Sequence, residues 1–325
     1  MFICPGCRKI FMIPICENCG NTVENQNGIW QLTDAPDIVT TGEGDKYIGY
    51  EHIGGAFSGN RKYLIDEGDT LFAEYISKIT GDGVFLDLAC GDGCLTVPCA
   101  KNGTKIIAGD ISNTMMTILQ KRAGKNGISL QNVTLCRMNA LDVLIEDNSI
   151  DSAVANSVLH LISNPEKVIG EIYRVLKPGG HFICKDDAPG KNIDIGEDFA
   201  EENTKFMQIT NGIYASYWAK LNAKSITAKK YSWKFDRDTV CRSLFSTVET
   251  KRIERNKPCF NKLTDTFLPR FSGKGFSDQV DVPDDLHKTV MEEVMIEMRG
   301  KYGELIDTIG YHGVENDILI FDYVK

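Results

Sequence analysis

The chain has 325 residues, 42 % of them apolar, with 36 Lys and Arg against 45 Asp and Glu and a formal net charge of −9. This is an ordinary soluble globular composition, long enough for one α/β domain with additions, and its acidity argues against a dominant nucleic-acid footprint. No apolar run reaches the roughly 20 residues that cross a bilayer, and the first residues lack the basic and apolar regions of a signal peptide, so a cytoplasmic protein without a membrane partner is expected.

The first legible element is a cysteine cluster. Cys4-Pro-Gly-Cys7 and Cys16-Glu-Asn-Cys19 are two CxxC knuckles close together in sequence. Each puts two sulfurs on one tight turn, and together they complete a tetrahedral thiolate site for a structural zinc ion. Four cysteines close the coordination shell and leave no position for a catalytic water. So short a segment cannot bury a core of its own, so metal replaces the missing hydrophobic energy. Residues 1–32 are therefore expected as a zinc ribbon, and loss of metal is expected to unfold them while sparing ligand binding elsewhere. The remaining seven of the 11 cysteines are scattered through apolar segments, where a free thiol behaves as a small hydrophobe. Residues 33–60, rich in Asp, Gly and Thr, read as a linker. Within it Tyr47 and Tyr50 are candidates for a pocket wall.

Next comes Val84 to Leu88, a short apolar run that reads as a buried strand. It leads into Ala89-Cys90-Gly91-Asp92-Gly93 and then into an apolar helix start. Strand, glycine turn and helix is the setting in which a GxG motif binds a nucleotide, because glycine lets the backbone approach the ligand. A second apolar run ends in Asp110, placed to accept hydrogen bonds from both hydroxyls of a ribose. Ser112 then caps a helix. A dinucleotide site wants a third glycine; here Thr96 stands in that position.

Further along, Val133 to Met138 reads as a third strand followed by Asn139 and Ala140, and Ile150 to Ala155 as a fourth followed by Asn156. Asn164-Pro165 opens a helix with Val168, Ile169, Ile172, Val175 and Leu176 on one face. Leu176 to Gly180 turns into a fifth strand, His181 to Cys184. Residues 195–209 look helical and the aromatic stretch Ile213 to Ala219 follows; residues 188–232 are expected as an insertion, a candidate lid or a packed helical layer. Phe245 to Ile253 reads as a sixth strand, Asp284 to Leu305 as an amphipathic helix, and Val314 to Val324 as a last strand.

Asp87-x-x-x-Gly91-x-Gly93, then Asp110, then Leu176-Lys-Pro-Gly-Gly180 before a strand, resembles the motif order of class I S-adenosylmethionine-dependent methyltransferases. Asn27 to Leu32 resembles the end of small zinc ribbons that precede some bacterial members. The resemblance implies an α/β, Rossmann-like seven-stranded sheet over 61–325, with helices on both faces and the last strand antiparallel between strands five and six. It implies S-adenosyl-L-methionine as cofactor, held by Asp87, Ala89, Cys90, Gly91, Gly93, Asp110, Ile111, Asn139, Ala140 and Asn156. Asp87 would face the amino-acid end through water. Asn139 departs from the family's usual Asp, though an amide can still accept from adenine.

A general base is not required when proximity carries the reaction; His160, and Asp186 or Asp187, are the candidates. The acceptor expected is a small molecule. Ribosomal RNA is the alternative, because similar zinc-bearing enzymes methylate its guanine and because Lys220, Lys224, Lys229, Lys230, Lys234 and Arg237, then Lys251, Arg252, Arg255 and Lys257, form two basic groups. A non-catalytic cofactor-binding partner protein is a third reading. Oligomeric state is not legible.

Overall fold

A computed structural model of the chain describes residues 1–40, 46–48, 63–188, 199–227, 235–255, 257–279 and 282–325. Tyr50, Lys229, Lys230, Lys234 and residues 189–198 and 228–232 of the expected lid lie outside the described residues, and of Tyr47 only its backbone place is described.

At the N-terminus, β1 (Phe2–Ile3) and β2 (Ile10–Phe11) pair antiparallel across the first knuckle. Then β3 (Asn25–Gln26) and β4 (Ile29–Gln31) pair around Asn27-Gly28, where both residues take positive φ, 53° and 86°. Asn-Gly supplies that geometry at little cost and fixes the hairpin. A third small hairpin joins β5 (Ile38–Thr40) to β6 (Lys46–Ile48). Helix α1 (Glu67–Thr80) starts where the Asp66 carboxylate accepts the Gly68 and Asp69 N–H groups at 2.7 and 3.3 Å, and it buries Phe72, Ala73 and Ile76.

A strand–helix alternation follows: β7 (Val84–Leu88), α2 (Thr96–Lys101), β8 (Lys105–Asp110), α3 (Asn113–Lys125), β9 (Val133–Arg137), β10 (Ile150–Val154), α4 (Pro165–Val175) and β11 (Leu176–Ala188). Their apolar runs show no alternation because both faces of a parallel sheet are covered. The chain continues through α5 (Ala200–Asn222), α6 (Arg237–Leu244), β12 (Thr247–Ile253), β13 (Pro258–Lys262), α7 (Phe267–Ser272), α8 (Asp284–Tyr302), α9 (Leu305–Thr308), β14 (Gly310–Val314) and β15 (Asp317–Val324).

Strand order in the main sheet is β12-β15-β11-β10-β7-β8-β9-β4-β3. β15 lies antiparallel between β11 and β12, as expected for the seventh strand. The sheet has nine strands rather than seven because the N-terminal segment adds two. β4 runs parallel beside β9, with Ile29, Trp30 and Gln31 opposite Leu135, Cys136 and Arg137. Phe2, Phe11, Val23 and Leu32 belong to the same buried cluster as Leu144, Ile145, Val168 and Phe182. The Ile3 N–H donates to the Leu144 carbonyl at 2.9 Å. So the cysteine segment is packed into the sheet's own core instead of standing apart.

Two further differences concern the C-terminal half. β11 is longer than the sequence suggests, because residues His181 to Ala188 pair along the whole of β15. The helical layer is drawn from two segments, α5 after β11 and α7 and α8 between β12 and β15. Ile213, Tyr217 and Trp218 of α5 are buried in it with Phe271, Val290, Val294 and Met298. The Tyr217 hydroxyl and His287 Nδ1 are 2.6 Å apart.

Candidate functional site

The strands β7, β8, β9 and β10 end at one cavity of about 350 Å³, outside the C-terminal edge of the sheet where open α/β folds bind ligands. Of the expected cofactor residues, Ala89, Cys90 and Gly91 line it from β7, Asp110 and Ile111 from β8, Asn139 and Ala140 from β9, and Asn156 from β10. The turn after β7 is tied to β8 by the Cys90 N–H, which donates to the Gly109 carbonyl at 3.1 Å. Ala89 and Gly91 take φ of 60° and 54°, and Ser157, also in the lining, takes 55°. Left-handed backbone at non-glycine residues costs about 1–2 kcal/mol each and collects at functional sites.

Asp110 is the electrostatic centre. Its Oδ2 accepts the Gly91 N–H at 2.8 Å and its Oδ1 accepts the Ser112 N–H at 2.9 Å. Burial pushes its carboxyl up to about 6; the Ser112 and Gly91 N–H groups oppose that shift and the Asp37 carboxylate adds to it. A carboxylate has about four lone-pair sites, so each oxygen keeps one for a ligand hydroxyl.

Asp87 does not line the cavity. It is buried beneath the turn and accepts from the Thr96 hydroxyl at 2.5 Å. Burial pushes it up to about 7; the Thr96 bond opposes this and the charge of Asp110 adds to it. Thr96, the residue in the third-glycine position, is thus Asp87's partner. Gly93 also stands outside the lining. A Cβ there would lie 2.4 Å from Leu119 Cγ, and φ is 79°, so this glycine lets α3 pack against the turn. Asn139 accepts the Leu141 N–H on Oδ1 at 2.9 Å and has its second lone pair and amide NH₂ to offer.

Several lining residues carried no sequence signal. Ala35, Pro36 and Asp37 arrive from the segment expected as linker. Met115, Met138, Leu141, Val158, Leu161 and Ile162 supply apolar wall. Asp92 lines the cavity while pairing with the buried Arg122 of α3 at 2.6 Å; the Asp of the GDG turn is thereby neutralised and fixed.

The catalytic candidates stand away from the cavity lining. His160 sits exposed on a short 3-10 turn, and its neighbours Leu161 and Ile162 face the cavity in its place. Asp186 lies on the stretch of β11 paired with β15 and is engaged by Arg237 through two bonds of 2.9 and 2.8 Å. Neither is among the lining residues. α5 contributes none either, so its described residues form a packed layer and no wall of the cavity.

Cys4, Cys7, Cys16 and Cys19 converge, with their sulfurs all within 4.8 Å of one another. Cys4 and Cys19 Sγ are 3.6 Å apart and Cys7 and Cys16 Sγ 3.7 Å. Tetrahedral zinc with Zn–S of about 2.3 Å requires edges of about 3.8 Å, so the donor set fits that ion.

Residues 86–184, from within β7 to within β11, match the family model described as a methyltransferase domain. Around this domain the chain is 37 % identical over 108 residues to a demethylmenaquinone methyltransferase of Symbiobacterium thermophilum, covering 32 % of this chain and 42 % of that one. It is 29 % identical over 162 residues to the ubiquinone/menaquinone biosynthesis C-methyltransferase UbiE of Desulfotalea psychrophila, covering 48 % and 63 %. The chain thus spans less than two thirds of either relative. Among solved structures, phosphoethanolamine N-methyltransferase 2 of Haemonchus contortus aligns over 85 % of this chain and 57 % of that one, at 16 % identity and a TM-score of 0.45. The methyltransferase domain match includes Asp87, Gly91, Asp110 and every strand tip around the cavity, and excludes the four cysteines and the helical layer.

Proposed function

We propose that the chain is an S-adenosylmethionine-dependent methyltransferase acting on a small apolar acceptor, with a structural zinc at Cys4, Cys7, Cys16 and Cys19. The observation that carries the reading is Asp110, a buried carboxylate at the strand tip whose two oxygens are aimed by Gly91 and Ser112. Asp110 accepts from the ribose hydroxyls, Asn139 and Ala140 lie on the adenine side, and the turn at Ala89 to Gly91 passes the amino-acid end. Asp87 acts from below by holding Thr96 and adding negative charge under a cationic ligand. The cofactor supplies a methyl group already activated on sulfonium.

Among the described lining residues there is no Lys, Arg or His; the ionisable groups are Asp37, Asp92, Asp110 and the thiols of Cys90 and Cys94. Burial and the charges of Asp110 and Asp87 push the Cys90 thiol well up, so it serves as neutral wall. This supports an uncharged acceptor that is nucleophilic without a strong protein base, held in line by apolar side chains. An electron-rich ring carbon of a quinol, the reduced form of the quinones that appear in the names of the relatives, fits that requirement. RNA fits less well. Lys220 pairs with Glu297, Lys224 with Glu293, Arg237 with Asp186, Arg252 with Asp317, and Arg255 and Lys257 with Glu67 and Glu315. Each of those cations faces a carboxylate of the protein itself, which reduces the positive field they offer to a phosphate backbone.

Calorimetry with S-adenosylhomocysteine tests the site. Asp110→Ala removes two charge-assisted hydrogen bonds and should weaken binding by roughly 100-fold; unchanged affinity would remove the ribose assignment. Transfer of labelled methyl to a quinol panel tests the acceptor. Binding without turnover on quinols, other metabolites or RNA would favour the non-catalytic partner.

A further inference from the structure

We propose that Arg137 is a positioning residue for the cofactor that ties metal binding at the four cysteines to cofactor binding in the cavity. The proposal rests on the reading above of both sites. Arg137 ends β9 and stands between Asp110 on β8 and Gln31 on β4, its register partners on either side. Its guanidinium leaves that row and donates from Nε to the Ile111 carbonyl at 3.1 Å and from Nη2 to the Ala35 carbonyl at 2.9 Å. Both acceptors belong to residues that line the cavity. One comes from the ribose-binding strand tip and the other from the segment leaving the cysteine hairpins. A planar guanidinium has its donors in a fixed fork, so the two carbonyls are held at a set separation.

Other contacts brace the same join. The Leu32 N–H donates to the Arg137 carbonyl at 3.1 Å. Gln31 and Asn113 exchange side-chain amide bonds of 3.2 and 3.1 Å, and Asn113 begins the helix capped by Ser112, whose N–H holds Asp110. On the far side Arg8, next to Cys7, pairs with Asp142, whose N–H donates to the Asn139 carbonyl at 3.0 Å. That pair is exposed and contributes little. The half-buried fork of Arg137 is the principal link.

If metal fixes the hairpins, the Ala35 to Asp37 wall is in place before the cofactor arrives, and part of its ordering cost is already met. Linkage then requires that cofactor tighten metal by the same factor. The test uses the full chain and S-adenosylhomocysteine calorimetry, with zinc loaded and with zinc removed by chelation. Removing zinc from the wild-type protein should weaken binding roughly tenfold, within the usual range of coupling. Arg137→Gln with zinc should lose a similar factor, and chelation should then add less than about twofold; Arg137→Lys, which can reach one carbonyl, should fall between. A merely structural Arg137 would instead give losses that multiply independently, and that result, or wild-type affinity indifferent to zinc, overturns the proposal. Should Arg137→Gln fail to fold, zinc affinity of the wild-type protein is measured by chelator competition with and without saturating S-adenosylhomocysteine. Equal zinc affinities overturn the coupling, and a tightening by the factor seen calorimetrically upholds it. A zinc-loaded wild-type protein that binds no S-adenosylhomocysteine, or thiols that take no zinc, removes the underlying reading and this proposal with it.

Discussion

Asp110 holds a charge where burial disfavours one, and that has a consequence for pH. Burial pushes its carboxyl up to about 6, against an unfolded value near 4. Between those values the folded state binds more protons than the unfolded one, so its contribution to stability falls as pH rises from about 4 to about 6. Ligand binding has the opposite sign, because only the ionised carboxylate accepts from both ribose hydroxyls and attracts a cationic cofactor. Cofactor affinity should therefore climb from pH 5 upward, and Asp110→Asn should remove the part of the climb centred near pH 6, leaving the smaller part that the Asp87 carboxyl, pushed up to about 7, contributes from beneath the turn. Calorimetry across that range checks it; a flat wild-type profile would mean that Asp110 is not the titrating acceptor. This residue was legible in the sequence because chain geometry alone puts the last residue of an apolar strand at the sheet's edge. His160 and Asp186 sit near strand ends too, but which way a side chain points there depends on local turns and on partners such as Arg237. Ala35 to Asp37 could not be found at all, since their place follows from a hydrogen bond to Arg137, about a hundred positions away in sequence.

The glycine turn separates into two functions at the scale of the strand–turn–helix element. Gly91 lines the cavity, and a Cβ there would meet Met115 Cε at 3.5 Å, an ordinary contact. Gly93 lines nothing, and a Cβ there would fall 2.4 Å from Leu119 Cγ in the core. Gly93→Ala combines overpacking with a left-handed φ and should cost about 2–4 kcal/mol of stability. Gly91→Ala should cost about 1 kcal/mol of stability yet weaken the cofactor more, since its methyl shares the ligand's space. Thermal melts and calorimetry on the pair check this, and a Gly93→Ala protein as stable as wild type would refute the packing role. The core strands were readable because continuous apolar runs between turn residues mark a covered parallel sheet. The helical layer was not, because α5 and α8 pack across a long sequence separation and their apolar residues show only that each has one buried face.

Over the whole molecule, the cysteine hairpins and the sheet share one hydrophobic core, and that decides how loss of metal should propagate. A detached ribbon would unfold by itself and leave the sheet's melting temperature alone. Here Phe2, Phe11, Val23 and Leu32 are buried against the sheet's own residues, and β4 covers the edge of β9. Unfolding the hairpins exposes that apolar surface and leaves the backbone of Leu135 to Arg137 unpaired on one side. Cys16→Ser, which removes one of the four converging sulfurs, should therefore lower the main melting transition by roughly 5 °C or more, as a single transition. Amide exchange should quicken along Val133–Arg137 as well as in the first 32 residues. Among the described residues the layer of α5 and α8 shares no buried apolar cluster with the hairpins, and it serves as the internal control, its exchange unchanged. Faster exchange confined to the hairpins, with the wild-type melting temperature retained, would show that the shared core contributes nothing to cooperativity and that the metal stabilises its own loop alone.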